Sequence, residues 1–198
     1  RELFSVSSQH YAFVVNAFVS LLKRADMTRY ELFLRETRTY EIIEDVKNFR
    51  SEIGVLFLNG YNRDVLTKMF DDNRLTYTSL FKARPHIFVS KSNPLAKHKV
   101  VSLEDLEDFP YLSYDQGIHN SFYYSEEILS QIPHKKSIVV SDRATLFNLL
   151  IGLDGYTIAT GILNSNLNGD NIVSIPLDVD DEIDIVYLKH EKATLSKM

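Results

Sequence analysis

Three places along this 198-residue chain put hydroxyl side chains at the start of an apolar-periodic stretch: Ser7-Ser8-Gln9, Thr37-Arg38-Thr39 and Ser141-Asp142-Arg143. The first turn of a helix exposes backbone N–H groups and the equivalent of about half a positive charge, which attracts carboxylates and other anions. Hydroxyls there add donors of their own. Ser8, Thr37 and Ser141 are therefore candidates for capping their helices, the ordinary role of Ser and Thr in such positions, and for holding a small polar ligand. Arg38 could pair with a ligand carboxylate, although a charged residue at a helix start is more often solvated. His119, in the polar loop Asp115–Asn120, could tune a pH response but reads more readily as an exposed loop His. His10 reads as a helix-start His with no special role. The sequence holds no Cys, no HExxH, no GxSxG and no phosphate-cradling glycine loop, and its six His are scattered. Catalysis is therefore not expected, and neither a metal nor a cofactor is.

Alternating strands and helices must position these residues. Glu2–Ser7 alternates as a strand does, and Tyr11–Lys23 then places Val14, Val15, Phe18, Leu21 and Leu22 on one helical face. A strand at Tyr30–Arg35 and a helix over Tyr40–Arg50 follow, the helix turning Ile42, Ile43, Val46 and Phe49 inward. Ile53–Leu58 is nearly all apolar, as expected of a strand buried on both faces; a helix over Asn62–Phe70 and a strand at Leu75–Phe81 come next. After Pro85 the alternation restarts with a strand at His86–Ser90, a turn at Asn93-Pro94 and a short helix with Ser102 and Asp105 at capping-box spacing. Tyr111–Tyr114 is a strand, Phe122–Ser130 a helix packed by Phe122-Tyr123-Tyr124, Ser137–Val140 a strand, and Leu146, Leu149, Leu150 and Leu153 mark a helix before a strand at Gly155–Thr160. Leu163–Asn171 reads as a loop, and Ile172–Pro176 and Ile183–His190 as two closing strands.

This alternation predicts two α/β lobes with mostly parallel sheets. The second lobe's sheet looks complete without the closing strands, so both are assigned back to the first. The expected division is 1–84 plus 163–198 for the first lobe and 85–162 for the second. Two crossings, near Ala83–Pro85 and Thr160–Leu163, would form a hinge with a cleft between the lobes. Ligands on such sheets bind beyond the carboxyl ends of the strands.

Composition agrees: 44% hydrophobic and 25% charged residues describe an ordinary globular protein, and a net charge of −5 works against direct binding to nucleic acid. No stretch is apolar enough to span a bilayer. Arg1-Glu2-Leu3-Phe4 shows neither an initiator Met nor a signal-peptide pattern, which leads to the expectation of a fragment cut from a longer protein.

The stretch from His86-Ile87-Phe88-Val89-Ser90 through Asn93-Pro94-Leu95-Ala96, Val101-Ser102-Leu103-Glu104-Asp105-Leu106 and Phe109-Pro110-Tyr111-Leu112 resembles the opening of the second lobe in LysR-type transcriptional regulators. Glu52-Ile53-Gly54-Val55-Leu56 resembles a first-lobe strand of that family. Val139-Val140-Ser141 with Leu149-Leu150-Ile151-Gly152 and Gly155-Tyr156-Thr157-Ile158-Ala159 resembles a later second-lobe segment. The likeness covers nearly the whole chain in order. It departs at Asp154, where the family usually has a Gly–hydrophobic–Gly run, and at Gly161, where a Pro is common.

The resemblance implies an effector-binding domain of periplasmic-binding-protein-like fold, two Rossmann-like subdomains joined by a two-strand hinge. By the same resemblance, a small effector, expected to be anionic or zwitterionic, would touch Ser8 and Gln9, Thr37, the loop residues Asp115, Gln116 and Gly117, and Thr160 and Gly161. It further implies a homodimer or tetramer in the cytoplasm, away from membranes, contacting DNA only through an amino-terminal winged helix-turn-helix that lies outside this chain. A solute-binding receptor of a transport system, with the same fold and cleft, is the alternative reading.

Overall fold

A computed structural model describes residues 2–25 and 28–196. The first five-stranded sheet has the order β2-β1-β3-β10-β4, formed by β1 (Glu2–Ser8), β2 (Tyr30–Glu36), β3 (Ile53–Leu58), β4 (Leu75–Ala83) and β10 (Ile183–His190). Strands β1, β2 and β3 are parallel, while β10 runs antiparallel between β3 and β4. Helices α1 (Ala12–Arg24), α2 (Thr39–Lys47) and α3 (Arg63–Asp72) connect the parallel strands and lead into β4. The nearly all-apolar β3 is buried along its length because α2 lies on it: Ile42, Ile43 and Val46 are inaccessible. Gly54 permits that approach, since a Cβ there would stand 2.7 Å from the Ile42 side chain.

The second lobe contains β5 (His86–Ser90), β6 (Tyr111–Tyr114), β7 (Ser137–Val140), β8 (Thr157–Ala159), β9 (Ile172–Pro176) and helices α4 (Arg143–Leu153) and α5 (Ser165–Asn168). Strand β5 lies between β8 and β9, antiparallel to both, and β6 pairs with β7 in parallel. A bridge between Tyr111 and Tyr156 ties the β6–β7 pair to the start of β8.

Several expectations need correction: the sheets are not mostly parallel, since β5 and β10 each run antiparallel to both neighbours, and α5 interrupts the expected loop Leu163–Asn171. Ile172–Pro176 does not return to the first lobe: as β9 it pairs residue for residue with β5, from Ile172 opposite Ser90 to Pro176 opposite His86. The free edge of β5 offers a full ladder, and Ile172 and Ile175 fill the core there. Only β10 goes back, so the crossings are Arg84-Pro85 and the segment 177–182, held together where the Leu177 N–H donates to the Pro85 carbonyl at 3.0 Å. The expected helix over Phe122–Ser130 is a single 3-10 turn at Phe122–Tyr124 followed by turns, because Glu126 and Glu127 point inward and are buried. Phe49 is not inward: α2 stops at Lys47, and Phe49 adopts a left-handed backbone (φ 57°) with 62% of its surface exposed.

The cores of the two lobes are continuous. Val6, Val55 and Phe57 of the first sheet belong to the same buried cluster as Ile87, Val89, Ile158 and Ile175 of the second, with Ile183 and Ile185 of the returning strand between them. The seam between the lobes thus lies against the hinge, where the carboxyl ends of β1, β3 and β6 converge on it.

Candidate functional site

At the end of β1 the chain turns through Gln9-His10-Tyr11 into α1. The residue before the helix is Tyr11, and no side chain of its own caps the first turn. The carboxylate of Glu126, from the other lobe, approaches this start instead. Its Oε1 accepts the His10 backbone N–H at 2.8 Å and lies 2.9 Å from the His10 imidazole Nδ1, with both side chains almost fully buried. Its Oε2 accepts from Gln116 Nε2 at 2.8 Å. Gln116 Oε1 accepts the Thr39 N–H at 3.0 Å, so a second-lobe amide caps the first turn of α2. Thr39 Oγ1 receives Gln9 Nε2 at 2.8 Å and donates to the Tyr124 carbonyl at 2.6 Å. Gln9 Oε1 accepts from the Tyr11 hydroxyl and the Phe57 N–H. Buried polar groups need such partners, because each one left unmade costs about 1–3 kcal/mol.

Outside this buried chain the lobes meet through more exposed pairs. Arg38 Nη2 lies 2.8 Å from Asp115 Oδ2, and Glu36 at the end of β2 pairs with Arg143 at the start of α4 at 3.0 Å. Tyr40 stacks on His119 and Tyr61 on Tyr123, with centroids 3.4 and 4.7 Å apart. The Asp115 carboxyl is held below the usual range by the Gly117 N–H, with burial opposing and Arg38 assisting. Both Arg38 and Asp115 side chains are more than two-fifths exposed, so their pairing is worth at most about 1 kcal/mol.

Beside the buried chain lies a cavity of about 50 Å³. The start of α1, the ends of β3 and β6, β5, β8 and α4 contribute its walls, among them Phe13, Phe57, Phe88, Leu146, Phe147 and Ile158; its polar groups include Glu126, Glu127, Tyr114, Arg143 and Thr160. Arg143 and His10 are the cationic side chains on its wall, and each already faces a carboxylate, Glu36 and Glu126 respectively. Glu127 differs. It is buried, its Oε2 accepts the Tyr114 N–H at 3.3 Å, and its own backbone N–H also donates to the carboxyl. Burial first, and the neighbouring Glu126 charge second, raise its carboxyl well above the ordinary value, which favours its protonated form. At His10 burial pulls the imidazole downward, but the hydrogen bond and charge of Glu126 outweigh it, and the net shift is upward.

The structure gathers many of the expected site residues on one seam. Gln9 and Gln116 sit in the buried chain, Arg38 and Asp115 pair with each other, Gly117 supports Asp115, and Thr160 lines the cavity. The capping assignments do not hold. Ser8 is a buried strand residue whose hydroxyl donates to the Gln9 carbonyl. Thr37 precedes Arg38, the residue before α2, and no side chain of α2's own cap closes that turn. Asp142 rather than Ser141 caps α4, accepting the Thr145 N–H at 2.8 Å. Gly161 (φ 81°) lies against the His86 ring at the hinge. Sequence reading missed His10, Glu126 and Glu127. The signal available was two adjacent acids followed by Ile-Leu, which fits a helix surface just as well.

Comparison with known proteins is consistent with this geometry. Residues 10–197 match the family model described as the LysR substrate binding domain. No curated protein sequence matches the chain. The effector binding domain of QuiR in complex with shikimate superposes with a TM-score of 0.65 at 16% identity, covering 100% of this chain and 91% of that one. The BenM effector binding domain with its effector benzoate gives 0.64 at 18% identity, covering 100% and 86%. HinK, a LysR family transcriptional regulator from Pseudomonas aeruginosa, gives 0.63 at 15% identity, covering 98% of this chain and 66% of that one. The chain therefore spans about two thirds of that regulator's length.

Proposed function

The chain belongs to the LysR substrate binding domain family, and on that premise we propose that it is the effector-sensing part of a transcriptional regulator, taking a small molecule into the cavity between its lobes. The observation that carries this reading is the position of the cavity. It lies at the seam, with walls from both lobes and from Ile183 at the start of the returning strand, so a bound molecule touches each lobe and biases their relative arrangement. A ligand shifts such an equilibrium by its differential affinity for the two arrangements.

Thr160, Gln9, Gln116, Arg38 and Asp115 are the expected contact residues that stand closest to this role, Thr160 from the cavity wall and the rest from the seam beside it. Ser8, Thr37, Ser141, Gly117 and Gly161 act through the backbone that places them. DNA contact belongs to an amino-terminal winged helix-turn-helix of the parent regulator, and assembly is as a homodimer or tetramer in the cytoplasm. Among the described residues no group of three or more His, Asp or Glu is placed to hold a metal, and no helix is long and apolar enough to cross a membrane.

A thermal-shift screen of amino acids, organic acids, amines and sugars tests the reading. A ligand at 100 times its dissociation constant stabilises the folded state by about 2.7 kcal/mol. Its shift should fall when Thr160 is changed to Val or the cavity is filled by Ala159→Leu. A panel that yields no saturable shift would overturn the proposal.

A further inference from the structure

We propose that the cavity selects an organic ammonium ion, an apolar molecule carrying one positively charged nitrogen, and that Glu127 is the carboxylate that pairs with it. The inference rests on the cleft reading above and assigns the ligand's chemical class.

Three positions that would receive an anion are engaged by the chain itself. The amino end of α1 receives Glu126 through the His10 N–H. Arg143, the guanidinium on the cavity wall, is held by Glu36 through two hydrogen bonds of 3.0 and 3.3 Å. Arg38, farther out on the seam, is held by Asp115. An entering carboxylate would have to displace one of these pairs and would then lie near the Glu126 carboxylate, where like charges in a low-dielectric site repel.

A cation finds the opposite situation. Glu127 is a buried carboxyl on the cavity wall with no ion-pair partner among the described residues. Tyr11, Phe13, Phe57, Phe88, Tyr114 and Phe147 surround the space with aromatic rings, which attract cations presented to their faces. The titratable neighbours of Glu127 are Glu126 beside it, Tyr11 at the start of α1, and Tyr111 and Tyr114 of β6. Burial raises all three tyrosines, leaving them neutral. Entry of R–NH3+ breaks the Glu127 O–H bond, sends that proton to solvent and leaves a carboxylate–ammonium pair. Up to one proton is released for each ammonium bound.

The test uses isosteres of opposite charge: benzylamine against benzoate, and isobutylamine against isobutyrate for a smaller volume. Isothermal titration at pH 7 should show saturable binding of an amine and none of its matching acid. Repeating it in buffers of different ionisation enthalpy should show a net proton release of up to one per ligand. Glu127→Gln, with its fold checked by circular dichroism, should weaken amine binding about tenfold or more and abolish the proton release. Acids binding in place of amines, or amines binding Glu127→Gln as tightly as the native chain, would overturn the assignment while leaving the sensor reading intact. So would binding of neither series when the metabolite panel does yield a ligand. Absence of any ligand in both panels would overturn both.

Discussion

Glu126 from the second lobe and His10 from the first form a buried clasp, in which one carboxylate oxygen lies 2.8 Å from the His10 backbone N and 2.9 Å from its Nδ1. The imidazole also stacks on Tyr114, centroids 4.1 Å apart, so its plane is fixed by packing as well as by the hydrogen bond. The chain therefore supplies its own anion to the start of α1 and joins its lobes through it.

Removing that anion should be costly. With side-chain exposures of 6% for His10 and 3% for Glu126, solvent cannot replace the lost partner. Breaking one side of a buried pair costs about 3–5 kcal/mol. Glu126→Ala should lower unfolding stability by that order in urea at pH 6.5, and Gln116→Ala, which leaves the His10 contact in place, by less. A Glu126→Ala loss below about 1 kcal/mol would show that the clasp is not formed in solution.

The clasp also predicts a pH dependence of definite sign. The folded pKa of His10 lies above its ordinary 6.5, so its contribution is complete below pH 6.5 and is lost as pH rises through the folded value. Glu126, Glu36, Arg143 and Asp142 are the charged groups coupled to it, with Tyr114 against its ring. His10→Gln can still donate to Glu126 but cannot titrate. Its stability between pH 6.5 and 9 should fall less steeply than that of the native chain, and parallel curves would refute the assignment.

For Glu127 the window opens at a lower pH. Its folded pKa is raised from 4.5 by burial and by Glu126, so the stability it contributes is complete below pH 4.5 and is lost as pH climbs through the folded value. Each unit of the shift is worth about 1.4 kcal/mol. Glu127→Gln keeps the size and the acceptor for the Tyr114 N–H, and it should therefore be more stable than the native chain at pH 8 and nearly equal to it at pH 4. Chemical denaturation at the two pH values measures the difference directly, and a loss at pH 8 would contradict the protonated state.

Most of the fold was legible because its signals are local. The apolar run Ile53–Leu58 and the helical spacing of Ile42, Ile43 and Val46 specify burial with few alternatives, and the Ser102–Asp105 box forms as its spacing implies, with both reciprocal hydrogen bonds made. What could not be read depends on partners distant in sequence. Strand β9 pairs with β5 across more than eighty residues, and nothing in Ile172–Pro176 distinguishes one sheet edge from another. The role of Glu126 depends on His10, 116 residues away. The resemblance singles out Gln9 and Gln116 as ligand contacts, whereas the structure engages both amides with protein partners through Thr39, which the sequence shows only as a hydroxyl residue near a helix start.

The hinge offers a last and purely steric prediction. Gly161 follows β8 with φ 81°, and a Cβ built on it would stand 2.5 Å from the His86 ring, next to the Arg84-Pro85 crossing. The left-handed backbone alone costs an L-residue roughly 1–2 kcal/mol, and the ring contact must add to it because His86 Nδ1 is engaged with the Arg84 carbonyl at 2.7 Å. Gly161→Ala should thus lower the melting temperature by more than the backbone term explains. In Gly161→Ala/His86→Ala the ring contact is gone and the backbone cost remains, so the double variant should recover part of the stability expected from adding the two single effects. Strict additivity in that cycle, measured by thermal unfolding, would mean that the ring does not confine Gly161 and that the hinge is looser than the contact with His86 implies.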